Sequence, residues 1–214
     1  MRILVLGATG KTGRLIVEQA LSRGWQVTAL VRDPTRLGVA HAQLAVVTGD
    51  MMNAASLATA IGQQCDAVVS ALGVYAKQPI TALTDATRLQ VEAMRKLGCV
   101  RIVVVSSLGA GNSRGQGTLF VRAIQRWILK HVLVDKTGKE EVLRASGLEW
   151  TSLRPPQLTD DPALRDDLVT WTGTEVPQRK MSWKVSRATV ARYALDAVEH
   201  RRWVGETVML ATPA

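Results

Sequence analysis

The segment Ile3-Leu4-Val5-Leu6-Gly7-Ala8-Thr9-Gly10-Lys11-Thr12-Gly13 limits what this chain can fold into more than any other part of it. Four consecutive apolar residues read as a strand buried on both faces, and a helical period begins directly after the glycine-rich turn. In such a unit the first-turn amides of the helix and the positive end of its dipole converge on one point, which suits a pyrophosphate. Gly7, Gly10 and Gly13 permit the tight turn and close packing. The triplet Gly10-Lys11-Thr12 also looks like the end of a nucleoside triphosphatase loop. That loop needs a glycine five residues before Gly10, and Val5 stands there.

The same alternation continues along the chain. Strands are predicted at Arg2–Leu6, Gln26–Val31, Leu44–Thr48, Ala67–Ser70, Arg101–Ser106 and Glu149–Leu153. Helices are predicted at Thr12–Arg23, Ala54–Ile61, Thr81–Leu97, Gly117–Leu133 and Thr137–Ala145. Strands separated by crossover helices give an α/β fold with a doubly wound parallel sheet, the Rossmann fold, as one domain over residues 1–214. Gly24 and Gly98 fall where helix C-terminal caps belong. Between about 154 and 186, Pro155, Pro156, Pro162 and Pro177 and the acidic run at 160–167 predict loops and short extended pieces. Such a segment covers the carboxyl ends of the strands, the place for a substrate lid. A helix at Arg187–Glu199 and a strand at Thr207–Leu210 close the chain.

Hydrophobic residues at 47% and charged residues at 21% exclude a disordered tail protein. No stretch of about 18 uncharged apolar residues occurs, and Ile3–Leu6 is too short for the core of a signal peptide, so a cytoplasmic protein is expected. Cys65 and Cys99 make no disulfide framework and read as free thiols. His41, His131 and His200 lie at no metal-ligand spacing, so no metal site is expected. With 27 Lys+Arg against 18 Asp+Glu, the net charge of +9 calls for an anionic partner. The second strand ends Val31-Arg32-Asp33-Pro34, with arginine where NAD-binding versions carry an acid for the ribose hydroxyls. An arginine there clasps a 2′-phosphate, helped by Lys11, Arg14 and Arg36, which selects NADPH. Two other readings stay open: a solvated Arg32, or a register shift of one residue that puts Asp33 in its place and reverses the preference.

Taken in order, Gly7-Ala8-Thr9-Gly10-Lys11-Thr12-Gly13, Val31-Arg32-Asp33, Gly49-Asp50, Ala71-Leu72-Gly73, Val105-Ser106-Ser107 and Leu143-Arg144-Ala145-Ser146-Gly147-Leu148 resemble the atypical short-chain dehydrogenases/reductases with an NmrA-like NAD(P)-binding fold. Within them the similarity is greatest to the biliverdin-IXβ and flavin reductases, which also have paired prolines where this chain has Pro155-Pro156. The resemblance implies NADP(H) as cofactor. Thr9 to Gly13 would hold the pyrophosphate, Arg32 the 2′-phosphate, and Asp50 with Met51 the adenine edge. Leu72 and Gly73 would run past the nicotinamide ribose, with Ser106 also on the cofactor side. Pro155, Pro156 and Gln157 would border the carboxamide, and Ser107 would face the nicotinamide and substrate as the catalytic hydroxyl.

Ordinary short-chain dehydrogenases protonate substrate through a Tyr-x-x-x-Lys pair. Counted back from Leu143, the lysine falls on Lys136 and the tyrosine on Val132. Neither Tyr75 nor Tyr193 has a lysine four residues on. A site without that strong acid suits easily reduced acceptors, namely flavins, quinones or linear tetrapyrroles. It equally suits a non-catalytic NADP(H)-binding redox sensor or assembly factor. Lys136 reads no better as a chemical group than as an exposed helix lysine, and Ser106 and Ser107 also read as strand-end residues bonded to nearby backbone.

Arg122, Arg126 and Lys130 recur at four-residue spacing within Thr118 to Leu133, among Leu119, Ile124, Trp127, Ile128 and Leu133. The plainer reading packs this helix on the sheet with a solvated basic edge; the other lays it on a membrane or a partner. A second basic edge at Arg179, Lys180, Lys184 and Arg187 would widen the positive field around an anionic substrate. No helix-turn-helix pattern or aromatic interleaving accompanies the charge, so nucleic acid is not an expected partner. A monomer or weak oligomer is expected.

Overall fold

The computed structural model describes residues 1–62 and 64–214. β1 (Arg2–Leu6) lies inside a mostly parallel sheet, with both its faces covered. Ile3 and Val5 pack with Ile16, Val17 and Ala20 of α1 (Lys11–Ser22) and with Val190 and Ala194 of α6 (Arg187–Glu199). Leu4 and Leu6 pack on the opposite face with Leu57 of α2 (Ala54–Ile61), Met94 of α3 (Ala82–Leu97) and Leu143 of α5 (Lys130–Arg144). Successive strand side chains point to opposite faces, so a strand covered on both sides needs an unbroken apolar run.

From β1 the sheet runs one way through β2 (Gln26–Val31) to β3 (Leu44–Thr48). It runs the other way through β4 (Ala67–Ser70), β5 (Arg101–Val105), β6 (Glu149–Arg154) and β11 (Glu206–Pro213) to an antiparallel edge strand, β8 (Val169–Trp171). β9 (Met181–Ser182) also pairs with β11, and β7 (Gln157–Thr159) pairs with β10 (Lys184–Ser186) as a separate ribbon. Winding reverses between β1 and β4, so the crevice at their carboxyl ends is the topological switch point where doubly wound sheets bind ligands. This is the expected Rossmann architecture, and the 154–186 segment is the expected mixture of loops and short strands.

Two predicted elements differ. The late helical stretch divides at Ile128–Leu129, not at 134–136, giving α4 (Leu119–Trp127) and α5. No glycine or proline marks the break; the N–H groups of Ile128 and Leu129 both reach back to the Ile124 carbonyl, at 2.9 and 3.0 Å, and close α4 with a wide turn. α4 packs on α5, and its Val121 also packs on the apolar cluster of Leu108, Trp171 of β8 and Met209 of β11, so the plainer reading of the basic helix holds in part. β11 is longer than predicted because β8 and β9 extend its pairing. Cys65 is half-buried and Cys99 buried, both free. No helix among the described residues is long and apolar enough to cross a membrane.

One contact joins α3 to α5 by an unforeseen route. Thr81 gives α3 no side-chain cap. Asp135 of α5 does so instead, accepting from the N–H groups of Leu83 and Thr84 at 2.9 Å each and from the Thr84 hydroxyl at 2.7 Å. Amides at a buried helix start need such an acceptor. Asp135→Ala is therefore expected to lower the unfolding free energy by about 1–3 kcal/mol, read as a shifted urea midpoint at constant slope. An unshifted midpoint would mean that water serves these amides equally well.

Candidate functional site

Four loops leave the carboxyl ends of β1, β4, β5 and β6. The first contains two backbone approaches that exclude any side chain. Gly7 has φ +77°, and a Cβ on it would lie 2.9 Å from the Ala71 carbonyl; a Cβ on Gly13 would lie 2.0 Å from the Gly7 oxygen. Gly10 closes the turn, its N–H donating to Gly7 O at 3.0 Å. No side chain caps α1, and among the described residues its first-turn amides at Lys11, Thr12 and Gly13 carry no intramolecular bond. Orphan donors at a dipole's positive end, beside glycines with no side chain to intrude, fit a dinucleotide pyrophosphate.

At the end of β2, Arg32 and Asp33 differ in what they contact. Asp33 Oδ1 accepts from the Thr35 N–H at 3.0 Å and the Thr35 hydroxyl at 2.6 Å, capping a 3₁₀ turn over 34–36. Those bonds from Thr35 hold its carboxyl below the ordinary aspartate value. The acid is thus ionised and committed to its own turn, while Arg32 is exposed and, like Arg14 and Arg36, makes no ion pair among the described residues. Lys11 behaves differently from expectation. Its Nζ contacts Asp160 Oδ2 at 2.6 Å, and Arg187 holds the other oxygen at 2.5 Å, tying the exit of β7 to the starts of α1 and α6. Arg187 is thereby drawn out of the second basic edge, and Lys11 away from the group around Arg32.

Asp50 is exposed and accepts from the Met52 N–H at 2.8 Å, while Met51 is half-buried against the core. After β4 the ladder extends one residue, Ala71 N–H to Leu6 O at 2.9 Å, and releases Leu72 and Gly73; open space surrounds the position of a Gly73 Cβ. After β5 and β6 the two chains stay side by side. Ser106 N–H donates to Leu153 O at 2.7 Å and Leu108 N–H to Pro155 O at 2.9 Å, which brings Ser106, Ser107, Pro155 and Pro156 together. Ser107 is half-buried, with its hydroxyl 3.3 Å from Leu108 O. The Ser106 hydroxyl is buried. Gln157 is exposed, its N–H on Trp183 O at 3.2 Å.

The side chains that sequence reasoning undervalued lie on α5. Lys136 is not a free surface lysine: its Nζ donates to the Ser106 carbonyl at 2.9 Å. Lys139 Nζ donates to Val105 O at 3.1 Å, and buried Glu140 accepts from Arg154 Nε at 3.0 Å and Nη2 at 2.5 Å, with Ser152 adding a bond at 2.8 Å. Burial, and next the neighbouring Lys139 charge, push the Lys136 ammonium down to about 7. Burial pushes Lys139 down to about 8. Burial works to raise Glu140, but the bonds and charge of Arg154 outweigh it and keep the carboxyl below the usual value. Val132 is buried at the position of the absent tyrosine. Tyr193 serves structure, donating to Asp166 O and accepting from Leu168 N–H, and Tyr75 is exposed beyond Gly73. The Tyr-x-x-x-Lys spacing did point at Lys136; ending one helix at Leu133 and starting the next at Thr137 hid its inward register.

The fold and this cradle define a Rossmann-type nicotinamide dinucleotide-binding protein. The chain belongs to the NAD(P)H-binding family, whose profile matches residues 7–201. It is 32% identical over 210 residues to the uncharacterized chloroplast protein At2g34460 of Arabidopsis thaliana, an alignment covering 92% of this chain and 71% of that protein. It is 30% identical to the isoflavone reductase homolog IRL of Zea mays over 70% of this chain and 46% of that one. Among solved structures, the anaerobilin reductase ChuY of Escherichia coli O157:H7 superposes with TM-score 0.79 at 24% identity, covering 100% of this chain and 98% of that one.

Proposed function

We propose that the protein is an NADPH-dependent reductase for an easily reduced conjugated acceptor, a flavin or a linear tetrapyrrole. The observation that carries this reading is Lys136, seated on the Ser106 carbonyl beside buried Val132. The site holds a protonatable group poised near neutrality and lacks the phenol that a carbonyl dehydrogenase uses. When bound, the reduced nicotinamide supplies a hydride. Lys136 then gives a proton to the anion left on the acceptor and regains one from water, while Ser107 offers a hydroxyl to orient the acceptor or an intervening water. Pro155 and Pro156 lie beside Ser106 and Ser107, joined through the Leu108 N–H to Pro155 O bond. The reductases among the relatives and the anaerobilin reductase among the fold neighbours support the choice of reaction class.

The test is to mix the protein with NADPH and either flavin mononucleotide or biliverdin and follow loss of the reduced nicotinamide absorbance. Oxidation dependent on acceptor is expected. Tight NADPH binding with no oxidation by any acceptor would overturn the reading in favour of a redox sensor. Cofactor choice has its own check. Arg32→Asp is expected to raise the KM for NADPH on the order of tenfold or more by removing a charge-assisted phosphate bond, with little change for NADH. Equal effects on both cofactors would remove Arg32 from the 2′-phosphate.

A further inference from the structure

We propose that α4 seats the protein on the surface of an anionic phospholipid bilayer, with Leu119, Phe120 and Trp127 in the headgroup boundary and Arg122, Arg126 and Lys130 on lipid phosphates. α4 turns its three largest apolar side chains outward. The inward face of α4 carries buried Gln125, whose Nε2 donates to Gln116 O, with half-buried Val121 and Ile124, whereas Leu119, Phe120 and Trp127 are 82%, 73% and 79% exposed. At about 100° per residue these three and Ala123 fall on one face, opposite Gln125. Ile128 and Val134, 55% and 62% exposed, continue the apolar surface onto the start of α5. A soluble helix ordinarily turns its apolar stripe inward; one that turns it outward marks an interaction surface.

Charge identifies the occupant. Arg122 and Arg126 flank the apolar face, and together with Arg114 and Lys130 they line a cavity of about 590 Å³ between α4, α5 and the 109–115 loop. None of the four pairs with a carboxylate among the described residues, and Glu141 is the only acid in the lining. A second copy of this surface would bring four unpaired cations against four more. An anionic bilayer meets both halves of the pattern: aromatic and aliphatic side chains enter the acyl boundary, and arginines and lysines meet phosphates at headgroup depth, with the cavity large enough to admit one. No phosphate-loop residue lines the cavity, so docking leaves the cofactor crevice open.

The test uses the whole chain with vesicles of phosphatidylcholine alone and of phosphatidylcholine with an equal part of phosphatidylglycerol. Co-sedimentation with the anionic vesicles is expected, with a blue shift of tryptophan emission and release at high salt. The double variant Arg122→Gln/Arg126→Gln should weaken binding on the order of thirtyfold, from about one surface-charge contribution at each position. Phe120→Ser/Trp127→Ser should weaken it at least about tenfold and abolish the blue shift. Both variants keep their circular dichroism and NADPH affinity, because the altered side chains are exposed. The proposal is overturned if folded protein ignores anionic vesicles or binds both compositions equally. It is likewise overturned if the chain instead forms a dimer that Phe120→Ser/Trp127→Ser dissolves.

Discussion

Gly13→Ala is expected to abolish tight NADPH binding. The added methyl would sit 2.0 Å from the Gly7 oxygen and 2.7 Å from the Gly7 carbonyl carbon, so backbone must move and no flexible side chain can yield. The other side of that loop is closed as well, because Gly7 itself rests against the Ala71 carbonyl. The start of α1 is left to swing outward, taking the Thr12 and Gly13 amides off the pyrophosphate. Losing two charge-assisted bonds of roughly 1.5–3 kcal/mol each weakens binding on the order of a hundredfold or more. Overpacking should also cost about 1–3 kcal/mol of stability, so the titration is done at a temperature where circular dichroism shows the variant folded. Wild-type affinity in the folded variant would sink the assignment of the loop.

Lys136→Met is expected to lower kcat by roughly two to four orders of magnitude while NADPH affinity stays unchanged. Methionine fills similar volume without the ammonium, so the comparison separates chemistry from packing. The pH profile carries the sharper test. With the ammonium pushed down to about 7, the proton-bearing form prevails below that pH, so kcat should be level on the acid side and fall as pH rises through about 7. The variant should lose that limb. An unchanged limb in Lys136→Met would move the proton source elsewhere, with Lys139, pushed down to about 8 on the next turn, first in line.

Much of the fold was legible because local and long-range signals agree. Ile3 to Leu6 read as a doubly covered strand, and the two faces of β1 close on different helices. What stayed hidden depends on partners distant in the chain. Nothing near Ile128 announces a break, and nothing near Thr81 says that its helix is capped by Asp135, 54 residues later. Lys136 shows the same limit at the site, for its meaning lies in the Ser106 carbonyl, 30 residues away. Composition alone gave the positive charge no owner; among the described residues Arg14, Arg32 and Arg36 make no ion pair, and Arg114, Arg122, Arg126 and Lys130 line one cavity beside α4.

The turn after β2 carries a consequence for how such a chain could change its diet of cofactor. Arg32 is exposed, and its neighbour Asp33, also exposed, has its carboxylate tied to the hydroxyl and amide of Thr35. If Arg32 holds the 2′-phosphate as proposed, discrimination between the two dinucleotides rests on a pair of neighbours of opposite sign, one unpaired among the described residues and one tied to its own turn. A lineage drifting toward the unphosphorylated cofactor need not invent an acid at this position; it has only to let go of one it already owns.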